Sequence, residues 1–252
     1  MTSLNEIVSY TNSLLDINAF RDYGPNGLQI EGRPEIKTLV SGVTASQALI
    51  EAAVDAGADA LLVHHGYFWK GEDPCIVGIK KQRIARLLDT GMSLLAYHLP
   101  LDAHPELGNN VCLAKELGFL IKGTFGTGVG PDIAFHGELA KPLSGNQLID
   151  LLTKRLGREP LHIAGHSDAI KTIGWCSGGA QGMIELAAKQ GFDAYLTGEV
   201  SEQTVHIARE TGIHFYAAGH HATERYGAPA LGEHLAKQFG LSHKFIEIDN
   251  PA

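Results

Sequence analysis

The sequence predicts an α/β protein built from two internally repeated halves in a layered fold, with mixed and largely parallel sheets. Three observations predict it. Short apolar runs alternate with stretches of helical period, the pattern of strands joined by crossover helices. A block of the chain recurs 134 residues later. At that offset Lys37-Thr38 falls on Lys171-Thr172, Gln47 on Gln181, Ile50 on Ile184, Glu51 on Glu185 and Ala53 on Ala187. Gly57, Asp59, Ala60 and Leu62 likewise fall on Gly191, Asp193, Ala194 and Leu196. Thirdly, apolar runs end in histidine, at the carboxyl ends of strands where open α/β sheets collect their ligands.

In the first half, an amphipathic helix stops at Gly57, where a left-handed cap favours glycine. Ala60-Leu61-Leu62-Val63 follows as a buried strand and runs into His64-His65. A second helix is predicted from Gln82 to Thr90, then a strand from Met92 to Tyr97 that leads into His98 and Asp102. The middle section is less regular. It offers a strand at Ile133 to Leu139 and a helix after Ser144 ending at Gly157. Glycines 123, 126, 128 and 130 mark a turn region between the halves. The expected division is therefore residues 1–130 and 131–252. The second half repeats the first: a glycine stop at Gly191, a strand to Leu196 and Gly198-Glu199, a helix from Glu202 to Thr211, and a strand from Ile213 to Ala218. His220-His221 and Glu224 follow.

Composition narrows the class. Of 252 residues, 44% are hydrophobic and 19% charged, ordinary for a globular chain with a substantial core. The formal charge of −8 opposes nucleic-acid or anionic-membrane partners. The first twenty residues, with Asn5, Glu6 and Asp16, do not resemble a signal peptide, and the apolar stretches are far shorter than a membrane span. Cys75, Cys112 and Cys176 are odd in number and far apart, so a reducing cytoplasm is expected and a disulfide framework is not. Cys112 and Cys176 read as small core residues.

His64, His65, Asp102, His220 and Glu224 supply three imidazoles and two carboxylates, enough for a pair of divalent ions if Glu224 bridges. A lone His-His-Gly is more often a buried polar pair than a ligand set. Recurrence at related strand ends, with His220 and Glu224 at a spacing of i, i+4, favours the metal reading. His64 and His65 would point to opposite faces of a strand, and Gly66 is expected to let the chain turn there. The remaining histidines carry no such pattern. Gly198 to Thr204 reads first as a helix cap with acids against the dipole, and second as a source of a general acid or base in Glu199 or Glu202. Ser177-Gly178-Gly179-Ala180-Gln181 is a turn on which a phosphate can rest, though it lacks the lysine of a P-loop. Tyr67, Phe68 and Trp69 read as core aromatics or as lining of the site.

Taken together, Tyr23 to Gly32, Gly42 to Ser46, Val63 to Trp69, Tyr97 to Asp102, Leu196 to Glu199 and Gly219 to Arg225 resemble the dinuclear-metal-centre proteins known as GTP cyclohydrolase I type 2 homologs, the NIF-three-like family. The resemblance is to the short bacterial form. It implies two divalent metal ions per subunit (Fe, Zn, Mn, Ni or Co), with His64, Asp102 and Glu224 on one and His65, His220 and Glu224 on the other. It implies two intertwined α/β halves, ring-shaped homohexamers and a small-molecule substrate, nucleotide in class. His98, Glu199 and His221 are expected to support the ligands or move protons. In GTP cyclohydrolase chemistry, activated water attacks C8 of the purine and formate leaves. The alternatives are another metallohydrolase (a phosphoesterase or amidohydrolase) and a non-catalytic metal-binding or adaptor protein.

Overall fold

The computed structural model describes residues 2–126, 128 and 130–252. The chain divides into two compact units. The first takes the residues up to Gly108 and returns for Gly227 to Asp249; the second takes Asn109 to Tyr226 and Asn250 to Ala252.

The first unit opens with β1 (Thr2–Ser3), α1 (Leu4–Leu14), β2 (Gly27–Ile30), β3 (Glu35–Ile36) and β4 (Thr38–Thr44). It continues through α2 (Gln47–Asp55), β5 (Ala60–His65), α3 (Gly78–Thr90), β6 (Ser93–Ala96) and α4 (Leu99–Ala103). The second unit begins with α5 (Asn109–Leu117), β7 (Phe119–Phe125), β8 (Ala134–Leu143), α6 (Gly145–Leu156), β9 (Leu161–Ile163) and β10 (Ile170–Trp175). Then come α7 (Ile184–Lys189), β11 (Ala194–Thr197), α8 (Glu202–Thr211), β12 (His214–Ala217) and α9 (His220–Glu224). The chain returns to the first unit with α10 (Gly227–Phe239) and β13 (Ser242–Phe245).

The first unit holds a five-stranded sheet, order β13-β4-β5-β6-β2, parallel except for β2 at one edge. Strand β5 sends Leu61 and Val63 into a core under α2 and α3, and Ala60 and Leu62 into one under α1 and α10. The second unit holds a six-stranded sheet, order β7-β8-β10-β11-β12-β9, parallel across β10-β11-β12. There Ala194 and Leu196 face α5 and α6, while Tyr195 faces α7 and α8. Burial on both faces explains why the central strands read as unbroken apolar runs rather than alternating ones.

The repeat holds at the level of register. Leu39 pairs with Ala60, and Ile173 with Ala194, each partner displaced by the same 134 residues. Asp59 accepts hydrogen bonds from the backbone N–H groups of Lys37 and Thr38, and Asp193 does the same for Lys171 and Thr172. The helix stops behave as expected: Gly57, Gly157, Gly191 and Gly212 all adopt positive φ. Ser144 forms a capping box with Gln147 at the start of α6.

Three expectations change. The boundary falls at Gly108 instead of near residue 130, because β7 pairs with β8 and β8 with β10, and because β13 pairs with β4. Gly123 lies inside β7, so the turn between β7 and β8 starts only at Gly126. Finally, Ser93 aligns with His214, an offset of 121, because the crossover before β6 is longer than the one before β12. Leu99 and Ala103 thus correspond to His220 and Glu224; His98 and Asp102 precede them by one position. Among the described residues, no helix is long and apolar enough to cross a membrane.

Candidate metal centre

In the first unit the donors gather where β5 and β6 end. His64, fully buried, has Nδ1 at 2.9 Å from the Tyr97 carbonyl, so Nδ1 carries the proton and Nε2 keeps its lone pair. That Nε2 lies 3.4 Å from Oδ1 of Asp102, which is 5% exposed. An imidazole lone pair facing a carboxylate oxygen is an arrangement that a cation, whether proton or metal, stabilises. His65 sets its Nδ1 against Thr44 Oγ1 at 3.1 Å. The two rings lie 4.6 Å apart despite their opposite strand parity. His64, His65 and His98 each offer a nitrogen, all within 4.8 Å of one another, and that set has the geometry to hold an ion.

Gly66 is required by a neighbour, not by a positive φ. A Cβ there would overlap the Gln29 amide, whose oxygen accepts from Tyr67 N at 2.7 Å. The aromatic triplet divides by role. Tyr67 is core: its hydroxyl donates to the Ala45 carbonyl, and burial pushes its pKa up to about 12. Phe68 packs partly buried against the same core with Lys80 over its ring. Only Trp69 meets the donors, with ring centroids 6.1 Å from His65 and 5.0 Å from His98.

In the second unit, α9 places His220 and Glu224 one turn apart. His220 Nδ1 is 2.7 Å from Glu199 Oε1, and its Nε2 is 3.1 Å from Glu224 Oε2. Hydrogen bonding to Glu224 outweighs the cost of burial and, with the Glu224 and Glu199 charges, raises the imidazole pKa to about 9. The first unit's motif thus recurs: a ring held at Nδ1 with a buried carboxylate at Nε2. Behind it, Gly178 (φ +65) comes so close that a Cβ would overlap Glu224 and press on His220. The Gly178 N–H donates to Thr223 Oγ1. The Ser177–Gln181 turn is therefore the backing of this pair, and that amide is already engaged.

The family model described as Duf34/NIF3 (NGG1p interacting factor 3) matches residues 2–251. The chain belongs to that family. It is 56% identical over 250 residues to a Pseudomonas aeruginosa protein named GTP cyclohydrolase 1 type 2 homolog, covering 99% of each chain. An Allochromatium vinosum protein of the same name is 53% identical over 252 residues, covering 100% of this chain and 98% of its own. The fold is similar to that of the solved protein ybgI, described as of unknown function, with TM-score 0.95, 49% identity and full coverage of both chains. It is also similar to a solved protein from Thermus thermophilus, TTHA1606, with TM-score 0.89, 35% identity and full coverage of both.

Within this Duf34/NIF3 chain the five predicted ligands fall as two in-unit sets: His64, His65 and Asp102 in the first, His220 and Glu224 in the second. Of the three predicted helpers, His98 stands among the donors themselves. Glu199 acts on His220 from outside α8, whose cap is Ser201 accepting from Thr204 N. His221 is buried one residue along α9, about 100° round from the His220–Glu224 face, with its backbone N–H on the Ala252 carbonyl.

Asp22 escapes a reading of the sequence. Buried in the segment before β2, it lies 2.7 Å from His98 Nδ1 and accepts from Leu99 N, Tyr23 N and the Asn26 amide. Burial opposes its ionisation, but the His98 hydrogen bond and charge, with Asn26 and Tyr23, prevail and hold it below the usual carboxylate range. Four donors on one short carboxyl are its only signal, and they come from positions up to 77 residues away.

Proposed function

We propose that His64, His65, Asp102, His220 and Glu224 together hold two divalent metal ions, and that the protein is a metal-dependent hydrolase acting on a small nucleotide-class substrate. The observation that carries the reading is the pair of imidazoles, His64 and His220, each fixed at Nδ1 with a nearly buried carboxylate at Nε2. Imidazole nitrogen with carboxylate oxygen is a donor set for Zn, Fe, Mn, Ni or Co, and neither unit's set alone supplies about three ligands to each of two ions. Such ions supply Lewis acidity and lower the pKa of bound water toward neutrality. The chain's own residues then have defined tasks. Glu199 orients His220, the Tyr97 carbonyl orients His64, and Asp22 fixes His98 beside the first set. GTP is the substrate class suggested by the names of the relatives, and it is the first to assay.

The odd number and wide spacing of the cysteines, Cys75, Cys112 and Cys176, support a cytoplasmic location. Ile76 and Val77, just before α3, and Ile79 in its first turn are exposed, and such apolar side chains support assembly into the expected homohexamer. The test is direct. Protein purified without chelator is analysed for metal, then loaded with Fe, Mn or Zn and incubated with GTP. Formate release and an ultraviolet change that Glu224→Ala abolishes are expected. Bound metal without turnover of GTP, phosphate esters or amides would leave only the non-catalytic metal-binding role.

A further inference from the structure

We propose that Arg158 forms a binding subsite for a single phosphoryl group of the substrate, in a cavity of the second unit that is walled by His220. This deepens the metal-hydrolase reading and shares its site. The cavity measures about 580 Å³, within the range of small-molecule sites, and Arg158, Glu199 and His220 all line it.

Arg158 is held there by its surroundings. It follows the Gly157 stop of α6, and its guanidinium lies against the backbone of Gly219, the residue before His220. A Cβ at Gly219 would overlap that guanidinium, and Gly219 keeps a φ of +100° that side chains rarely adopt. The close approach therefore depends on glycine at this position. Among the described residues, no carboxylate lies within ion-pair distance of Arg158; its Nη1 donates to the Pro251 carbonyl at 2.7 Å. A half-buried guanidinium in a cavity wall, answered only by a neutral carbonyl, retains its charge and most of its fork of N–H donors. That fork matches a phosphoryl oxygen pair.

The rest of the wall sets the size and charge of the ligand. Glu159 and Glu199 also line the cavity, so the Arg158 guanidinium and the His220 imidazole share it with two carboxylates. One compact oxyanion suits that balance; a polyphosphate chain would set further negative charge against both acids. Leu161 and Val200, 46% and 36% exposed, offer apolar surface to the body of the ligand. Ala252 lines the same space, and Pro251 occupies an Arg158 donor. Residues 250–252 thus compete with a ligand for the guanidinium.

The experiment follows the ³¹P line width of inorganic phosphate with chelator-treated protein, in wild type, Arg158→Gln, Arg158→Lys and a chain lacking residues 250–252. Saturable binding is expected in the wild type, as tight or tighter in the shortened chain, and weaker by about tenfold or more in Arg158→Gln. Arg158→Lys keeps the charge without the fork and guards against misfolding of the glutamine variant; it is expected to fall between. Equal binding by wild type, Arg158→Gln and Arg158→Lys, or no saturable binding by the wild type and the shortened chain, overturns the proposal. Metal uptake is read on the same preparations. Uptake without phosphate binding removes the anion subsite and leaves the metal reading standing; phosphate binding without uptake does the reverse.

Discussion

Glu199 Oε1 lies 2.7 Å from Nδ1 of His220, so the outer nitrogen of this imidazole is committed before any ion arrives at the other. A carboxylate behind a histidine ligand fixes its tautomer and makes it a stronger donor, and losing such a partner costs about 10–100-fold in metal affinity. Glu199→Gln is expected to weaken Zn²⁺ binding by about that factor. Glu224→Ala, which removes an oxygen at the metal-facing nitrogen, is expected to cost more. Calorimetric titration of the two variants against wild type checks the order. Equal affinities for Glu199→Gln and wild type would make the contact incidental.

Gly178 and Gly191 separate backbone strain from site geometry. Both adopt positive φ, +65° and +76°. A Cβ at Gly191 meets nothing within 4 Å, whereas one at Gly178 overlaps Glu224. Alanine at either position should lower stability by about 1 kcal/mol from the left-handed backbone alone. Gly178→Ala should in addition reduce metal uptake, because Glu224 and His220 must shift to admit the methyl group. Urea midpoints and metal content, measured on the same two variants, distinguish the effects.

Much of this architecture is legible in the sequence, for local reasons. The stops at Gly57, Gly157, Gly191 and Gly212 and the Ser144–Gln147 box are decided within a few residues, and the i, i+4 spacing of His220 and Glu224 is set by helix geometry. What escaped is what folding brings together. Asp22 reaches His98 across 76 positions, and the Gly24-Pro25-Asn26-Gly27 segment just after it reads only as a turn. The unit boundary depends on β13 returning to pair with β4, about 200 residues apart. The one-residue slip between the Asp102 and Glu224 strand ends comes from the unequal crossovers before β6 and β12. No local pattern separates Tyr67, in the core, from Trp69, beside the histidines.

Asp59 and Asp193 bind the same two backbone donors in the two halves, and both should appear in acid stability. Burial raises each carboxyl pKa, but hydrogen bonds from the Thr38 and Lys37 amides with Arg33, or from the Thr172 and Lys171 amides with the Thr172 hydroxyl and His214, outweigh it and hold both below the ordinary value. A carboxyl with a depressed folded pKa contributes stability above its unfolded pKa of about 3.9, and that contribution is lost as pH falls through the folded value. Asp193→Asn and Asp59→Asn should therefore lower stability at neutral pH and flatten its fall below about pH 4. Urea midpoints measured from pH 7 to pH 3 report this. An unchanged slope in both variants would remove the two aspartates from the acid transition.

His162 and His214 give a second, milder pH dependence with the same sign. His214 Nε2 lies 2.8 Å from the Ser167 carbonyl and donates to it, so its Nδ1 accepts from His162 Nε2 at 3.0 Å. The His162 ring also stacks on Tyr216 at 4.5 Å, tying β9 to the sheet edge. Burial first, and then the charge of His214, push the His162 pKa below its ordinary value of about 6.5. Between the folded and unfolded values the unfolded chain binds more protons, so stability falls as pH drops from about 7 through that interval. His162→Phe keeps the stack on Tyr216 and removes the titration. It should lower the midpoint at pH 7.5, through the lost hydrogen bond, yet reduce the slope of stability between pH 7 and 5. His104 and His243, whose pKa values burial also lowers, supply the slope that remains. A variant whose slope matches the wild type in that range would show that the His162–His214 bond does not govern the loss.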